Sequence, residues 1–449
     1  MSGDLKKKKR LLIFVVAYNA QHTINWVLGR VPSSLAKEFD AEILVIDDQS
    51  EDNTFEESEG FAANCKSEFK ITVLFNPENQ GYGGNQKIGY HYAIKNNFDF
   101  VALIHGDGQY APEELPTLIK PLAFGEADAV FGSRMLSNGA ALKGGMPLYK
   151  FIGNKILTFF QNYMLQTEFS EFHSGYRLYS TSALRTIPFH LNSNDFHFDT
   201  EIIIQLVFSG KKIRELPIPT YYGDEICHVN GIKYAFKVIN TTLRASMQKY
   251  NLLFDRKYDC RNDEENYLPK FGFKSPHSLA IESVENRNFV LDIGSAGGYV
   301  AERLNTAKNC RVFGLDVMRP RDETYFEGFI ECNLDEGLPE QAPSNFDTVL
   351  MLDVLEHLSN PEKFLEELRE HFKFQADVVI HASTGNIAFA ITRLLHMIGM
   401  FNYGKKGILD LTHKRLFTRK TFINLFEQNG FVVRGVEPVP APWGLVFGL

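Results

Sequence analysis

Four stretches of the sequence set carboxylates among glycines or at the end of an apolar run, an arrangement suited to holding a bound polar group. Val45-Ile46-Asp47-Asp48 carries an apolar run into two carboxylates, which can accept hydrogen bonds from a base or a ribose. Leu103-Ile104-His105-Gly106-Asp107-Gly108-Gln109 places one aspartate between two glycines. Glycine lets the backbone approach a ligand closely, and a carboxylate there suits a hard divalent cation whose other ligands are waters and diphosphate oxygens. Asn79-Gln80-Gly81-Tyr82-Gly83-Gly84-Asn85 is a glycine-rich loop opening a helical pattern, able to present N–H groups to phosphate. In the second half, Val290-Leu291-Asp292-Ile293-Gly294-Ser295-Ala296-Gly297-Gly298-Tyr299 runs from an apolar stretch through a glycine turn into a helix. Asp316 ends the next apolar run, 24 residues beyond Asp292, where a carboxylate can accept both ribose hydroxyls. Taken singly, the first two aspartate segments read equally as an Asx turn or a helix cap.

The elements that would position these residues alternate short β-branched runs with helical patterns, which predicts parallel sheets built from βαβ units. Strands are expected in the first half at Leu11–Tyr18, Ala41–Asp48, Lys70–Asn76, Val101–Asp107 and Ala129–Ser133. In the second half they are expected at Phe289–Ile293, Arg311–Asp316, Phe329–Asn333, Thr348–Asp353, Val378–Ala382 and Val432–Glu437. In open α/β sheets ligands sit at the carboxyl ends of the strands, where the acidic residues above fall. Between Lys143 and Leu165 the residues Met146, Phe151, Ile152, Ile156, Leu157, Phe160 and Met164 recur at helical spacing, and this amphipathic segment either packs in the core or meets a membrane. A second apolar helical patch, Thr392–Tyr403, either packs in the core or covers an acceptor. The polar run from Asp255 to Asn266 breaks the periodicity like a linker.

The chain has 449 residues, enough for two large domains, with 44% hydrophobic and 23% charged residues, a globular composition. Its net charge of −8 argues against nucleic acid as a partner. The one basic run, Lys6-Lys7-Lys8-Lys9-Arg10, is either a solvated leader or a weak contact for an anionic membrane surface. The apolar stretch after it is too short for a secretory signal or a spanning helix. Five cysteines, far apart and with no Cys-x-x-Cys pair, read as reduced thiols of the cytoplasm.

Together and in this order, the first-half segments resemble a family 2 glycosyltransferase of the GT-A fold over about residues 11–250. The landmarks are Val16-Ala17-Tyr18-Asn19, Asp47-Asp48, Gly81-Tyr82-Gly83-Gly84, Gly106-Asp107-Gly108-Gln109, Gly132-Ser133-Arg134, His173-Ser174-Gly175-Tyr176-Arg177 and Phe198-Asp199-Thr200-Glu201. The resemblance implies that Tyr18 lies on the nucleotide base, that Asp48 or Asp47 reads it, and that Asp107 holds Mg2+ or Mn2+ on the sugar-nucleotide diphosphate. The family's metal turn often reads Asp-x-Asp; here its first position is His105, which leaves coordination to Asp107. Asp199 and Glu201 stand where the family often places a carboxylate that activates a hydroxyl acceptor. A lipid phosphate needs no base but does need cations, and Arg134 and Arg177 would supply them, unless each belongs to an internal ion pair. The nearest likeness is to the polyprenyl-phosphate branch, that of dolichol-phosphate mannose synthase, in which amphipathic helices after the fifth strand meet the membrane.

The second half resembles a class I S-adenosylmethionine-dependent methyltransferase over about residues 270–449. A dinucleotide-binding fold is the rival, but its Gly-x-Gly-x-x-Gly is missing. The resemblance implies that the turn from Gly294 to Gly298 meets the methionine part of the cofactor, Asp316 its ribose, and Asn333-Leu334-Asp335 its adenine. Ala296 stands where a glycine is usual, which should narrow the turn slightly. Asp292 and Asp353 belong to the same cofactor end, and Asp353, His357 and His413 are candidates for a base, needed only if the methyl acceptor is a hydroxyl.

The expected organisation is therefore α/β throughout. A GT-A domain spans residues 1–254, a linker 255–269, and a Rossmann-like methyltransferase domain 270–449, expected to be short at its C-terminal end because Pro440–Leu449 leaves little room for a closing hairpin. The expected activity is metal-dependent, inverting transfer of a sugar from a nucleotide-diphosphate donor to a polyprenyl phosphate or glycan, with methylation of a related product, in bacterial-type envelope or glycan assembly. The chain is expected in the cytoplasm, peripheral at the inner face of the plasma membrane. The alternative keeps only the glycosyltransferase active and makes the second half a non-catalytic S-adenosylmethionine-binding or docking module.

Overall fold

The computed structural model describes residues 8–65, 68–137, 139–220, 230–260, 274–375 and 377–440. In the first half, seven strands join one sheet: β1 (Arg10–Ala17), β2 (Asp40–Asp47), β3 (Lys70–Phe75), β4 (Phe100–His105), β5 (Ala129–Ser133), β6 (Arg177–Ser180) and β7 (Ile213–Pro217). Their order is β3-β2-β1-β4-β6-β5-β7, with β6 antiparallel to both neighbours and the other pairings parallel. The run Leu11 to Val15 is buried on both faces of the sheet. Leu11, Ile13 and Val15 enter one hydrophobic core while Leu12 and Phe14 enter the other, as the two-residue period of a strand requires. A parallel sheet covered on both sides reads as a continuous apolar run for this reason.

The second half forms a separate, fully parallel sheet of β8 (Phe289–Ile293), β9 (Arg311–Asp316), β10 (Gly328–Glu331), β11 (Thr348–Leu352) and β12 (Val379–Ser383), in the order β10-β9-β8-β11-β12. It has its own cores, one around Leu291, Phe346 and Leu365 and one around Val290, Val312 and Leu304. Val432–Glu437, expected as a sixth strand, joins no sheet among the described residues.

The expected linker is corrected over its described part. Tyr258 and Cys260 sit in the first unit's core, and Gln205 Nε2 donates to Lys257 O at 2.9 Å. The first compact unit therefore takes in residues 255–260, while residues 249–254 group with the second unit. Residues 261–269 of that linker, Lys6 and Lys7 of the basic run, Cys227 and the tail from residue 441 lie outside the described residues.

The Leu148–Leu165 helix turns its polar side inward. Asn154, Thr158 and Gln161 are buried, and Leu148, Tyr149, Ile152, Ile156, Phe159 and Tyr163 are exposed, Phe159 by 75%. The patch expected over Thr392–Tyr403 is helical at Ala390–Met397, and it too is open to solvent rather than core, with Leu394, Met397, Ile398 and Phe401 exposed. Among the described residues no helix is long and apolar enough to cross a membrane.

Candidate functional sites

The turn after β4 is built around its glycines. Gly108 has φ +79°, and a Cβ there would stand 2.6 Å from the Trp26 ring. Thr23 Oγ1 donates to Gly106 O at 2.7 Å and holds the turn from the other side. Asp107 between them is exposed, one carboxylate oxygen accepting Gln109 N–H at 2.9 Å. Among the described residues no group of three or more His, Cys, Asp or Glu side chains is arranged to hold a metal. An exposed carboxylate in a glycine turn fits a cation that draws its remaining ligands from diphosphate and water.

Around this turn lie the groups expected to meet the nucleotide. Tyr18, just past β1, is 43% exposed. Asp47 is buried, Oδ1 accepting from Ser50 while Oδ2 has no hydrogen-bond partner, and burial raises its pKa above the ordinary carboxylate value. Asp48 Oδ1 accepts from Asn76 Nδ2 and from Gln80 N–H, both at 2.8 Å, so it pins the start of the Gly81–Lys95 helix.

Gly81 and Gly83, expected to present N–H groups to phosphate, do something else. Gly83 N–H donates to Asn194 O at 2.8 Å and Gly81 N–H to Asn79 Oδ1 at 3.0 Å. A Cβ on Gly81 would meet Asn194 O at 2.7 Å, and one on Gly83 would collide with Phe198. These glycines let the helix pack against the 193–198 segment.

Arg177, expected at an acceptor phosphate, is fully buried. Its guanidinium lies 4.3 Å from the Phe131 ring centroid and 3.9 Å from Asp199 Oδ2, and Nη2 donates to Phe172 O at 2.7 Å. Arg134 is likewise internal, paired with Glu171 and donating through Nη2 to His173 O at 3.0 Å. Burial alone would raise the Glu171 pKa, but the Arg134 charge and hydrogen bonds hold it below the ordinary value. Asp199 and Glu201, expected as acceptor bases, are also committed. Asp199 Oδ2 accepts from Tyr82 OH at 2.9 Å and Oδ1 from Gln86 Nε2 at 3.2 Å. Glu201 accepts from Lys257 Nζ at 2.5 Å and Ser193 N–H at 2.6 Å, and packs with the 255–260 segment. Both carboxylates are thus engaged in internal hydrogen bonds.

His105 belongs to the same cluster. Tyr82 OH donates to Asp199, so its oxygen accepts from His105 Nε2 at 3.2 Å, which places the hydrogen on Nε2. Burial keeps the imidazole neutral by lowering its pKa. Sequence reasoning gave no role to Tyr82, Gln86 or Glu171; their partners lie far along the chain. Lys8, Lys9 and Arg10 of the basic run bind Ala36 O, Ala123 O and Asp40 at the amino end of β1, the end away from Tyr18.

In the second unit, the turn after β8 has φ +77° at Gly294 and +82° at Gly298, and a Cβ on Gly294 would stand 2.5 Å from Val354. Ala296 has φ +44°, so its departure from glycine costs left-handed backbone strain of about 1–2 kcal/mol rather than a narrower turn. Asp316 holds this turn, Oδ2 accepting Ala296 N–H at 2.7 Å and Oδ1 accepting Met318 N–H at 2.8 Å. Asp292 Oδ2 and Ser295 Oγ are buried with no hydrogen-bond partner, and burial followed by the Asp316 charge pushes Asp292 up to about 7. Two orphaned polar atoms in a glycine turn at a strand's carboxyl end fit a polar cofactor such as S-adenosylmethionine.

Asn333 Oδ1 closes an Asx turn on Asp335 N–H at 3.1 Å, and Leu334 packs partly against the core. Asp353, at φ +58°, accepts from Ser383 Oγ at 2.7 Å. His357 and His413 stand with ring centroids 4.8 Å apart, and His413 Nδ1 is 3.0 Å from Ile408 O.

Comparison with known proteins agrees with this division. The family description "Glycosyl transferase family 2" matches residues 12–187, and "Methyltransferase domain" matches residues 271–436. An uncharacterised protein of Methanocaldococcus jannaschii is 30% identical over 239 residues, 52% of this chain and 92% of that protein. The UDP-N-acetylglucosamine–dolichyl-phosphate N-acetylglucosaminyltransferase of Methanococcus voltae is 27% identical over 54% of this chain and 98% of its own length. The polyprenol monophosphomannose synthase of Mycolicibacterium smegmatis is 23% identical over 48% and 79%. Among solved structures, glucosyl-3-phosphoglycerate synthase from Mycobacterium tuberculosis is 17% identical, with a TM-score of 0.41 over 53% of this chain and 78% of that one. The chain is an enzyme that belongs to the family 2 glycosyltransferases through its first half and carries a methyltransferase domain in its second.

Proposed function

We propose that the first unit transfers a sugar from a nucleotide-diphosphate donor to a polyprenyl phosphate at a membrane surface, with inversion, and that the second unit methylates a related product using S-adenosylmethionine. The observation that carries the first half of this reading is the Gly106-Asp107-Gly108 turn, which offers an exposed carboxylate at the carboxyl end of β4. A divalent cation held there, Mg2+ or Mn2+, would supply positive charge to the leaving diphosphate. Tyr18 would lie against the base and Asp47, with its orphaned Oδ2, would read it, while Asp48 fixes the helix that follows.

A phosphate acceptor is already an anion and attacks without a base, in keeping with Asp199 and Glu201 both being held in internal pairs. The relatives named for dolichyl-phosphate and polyprenol substrates support the same acceptor class. The exposed apolar side of the Leu148–Leu165 helix supports a lipid surface as the place of reaction, since its polar side is already turned inward. In the second unit, Gly294, Gly298, Asp292 and Asp316 would hold the cofactor's amino-acid and ribose parts, and Asn333 and Leu334 its adenine side. The orphaned Asp292 and Ser295 atoms favour a bound cofactor over a docking module.

The test presents the full chain with labelled sugar nucleotides, a short polyprenyl phosphate and Mn2+ or Mg2+. Label should enter the organic phase as a product released by mild acid. Label that stays water-soluble with every donor the protein binds would overturn the acceptor reading. Titration with S-adenosylhomocysteine tests the second unit separately.

A further inference from the structure

Past the cofactor turn, a buried acidic side chain at the carboxyl end of β11 has been given no work. Glu356 is 2% exposed. Its main-chain oxygen accepts Lys414 N–H at 2.8 Å and Arg415 N–H at 3.1 Å, which ties down the loop carrying His413. Its carboxyl is not used in the same way. Oε1 receives one long contact, 3.4 Å from Gly385 N–H, and Oε2 has no hydrogen-bond partner. The Thr384 hydroxyl and the residue's own N–H lie near enough to favour the charged carboxyl, against burial and the charge of Asp353. Val354, two residues earlier in the chain, packs on Gly294 of the cofactor turn. A buried carboxyl with an unpartnered oxygen costs the fold several kcal/mol, which a purely structural residue has no reason to bear.

We propose that Glu356 takes the proton of a hydroxyl, and that the methyl acceptor of the second unit is therefore an alcohol of the sugar type. This assignment rests on the reading of that unit as a user of S-adenosylmethionine. In the step, the acceptor oxygen bonds to the methyl carbon as the sulfur–carbon bond breaks. The bonding pair remains on sulfur, which becomes a neutral thioether, and the hydroxyl proton passes to the Glu356 carboxylate. A neutral amine would attack through its lone pair and need no such group.

Burial, then the Asp353 charge, pushes Glu356 up to about 7, where a base is effective near neutral pH. The charged and titratable groups around it are Asp353 just past β11, His357 on its own turn, and His413, Lys414 and Arg415 on the loop tied to its main chain. Lys414 is paired with Asp335 and Arg415 with Glu362, which leaves their charges spent elsewhere. Burial and the neighbouring His413 hold the His357 pKa below the ordinary imidazole value.

The experiment compares wild type and Glu356→Gln in the full chain. At pH 7.5 the variant should melt several degrees higher in its second transition, because a buried ionised carboxyl is gone, and at pH 5 it should match wild type. S-adenosylhomocysteine should bind both within about twofold by calorimetry. Given methyl-labelled S-adenosylmethionine and a lipid extract of the source cells' own membranes, the variant should lose about a hundredfold or more in incorporation. The label should sit in an alkali-stable ether. A variant that melts lower at pH 7.5, or binds S-adenosylhomocysteine tenfold more weakly, would make Glu356 a structural or cofactor residue and overturn the proposal. Label in an alkali-labile ester or on an amine would overturn it as well. Wild type that binds no S-adenosylhomocysteine would instead sink the reading of the whole unit.

Discussion

At the scale of single residues, the carboxyl end of the first sheet divides its charges into those turned outward and those matched internally. Asp107 is the outward one, fixed by two glycines and one hydrogen bond. Asp107→Ala should reduce sugar transfer by about a thousandfold, the scale of several kcal/mol that a bound cation supplies, while the melting temperature stays put. Near-wild-type transfer with saturating Mn2+ would remove Asp107 from that role. Arg177 is the internal one. Arg177→Ala leaves Asp199 buried without its cation and should cost about 3–5 kcal/mol of stability, read from the denaturant midpoint. An unchanged midpoint with weakened acceptor use would return Arg177 to the acceptor. Asp107 was legible in the sequence because flanking glycines mark a turn whatever surrounds it. The two arginines were not: whether a guanidinium meets phosphate or an internal carboxylate depends on Glu171 and Asp199, which only the folded chain brings near.

At the scale of elements, the apolar runs announced the long strands within a residue or two. The unexpected strands were β6 and β7, of four and five residues, one of them antiparallel and wedged between β4 and β5. A four-residue strand shows no periodicity, and its direction is set by its partners. Val432–Glu437 has the composition of a strand but no pairing, since composition carries no information about a free sheet edge. The Leu148–Leu165 helix had a legible period, but a period does not say which side faces in. Its inverted burial gives a prediction. Replacing Ile156 and Phe159 by Asp should cut binding to vesicles of phosphatidylglycerol and phosphatidylethanolamine by tenfold or more, since each large apolar side chain contributes about 1.5–3 kcal/mol when removed from water. Both side chains are exposed, so thermal stability should hardly move. Sedimentation with vesicles measures the first effect and calorimetry the second; unchanged vesicle binding would detach this helix from any lipid surface.

At the scale of the whole molecule, two sheets with separate cores should melt as two transitions that respond oppositely to pH. In the second unit Asp292 and Glu356 are both held up to about 7 by burial. Between their unfolded values near 4 and that point, the folded unit keeps protons that the unfolded chain has released. Stability contributed by these two groups is therefore full at acid pH and is lost as pH rises from about 4 to 7, by about 3–4 kcal/mol each. In the first unit burial pulls His173 down to about 4. There the unfolded chain binds the proton first, so stability is full above about 6.5 and is lost as pH falls toward 4. Scanning calorimetry of the full chain from pH 5 to 7.5 should move the second unit's transition, identified by its response to S-adenosylhomocysteine, downward, and the first unit's, identified by its response to a sugar nucleotide with Mn2+, upward. If both transitions moved together, the buried carboxyls of the second unit would have partners in solution that compensate their charge, and burial would not be what holds Glu356 protonated near neutral pH.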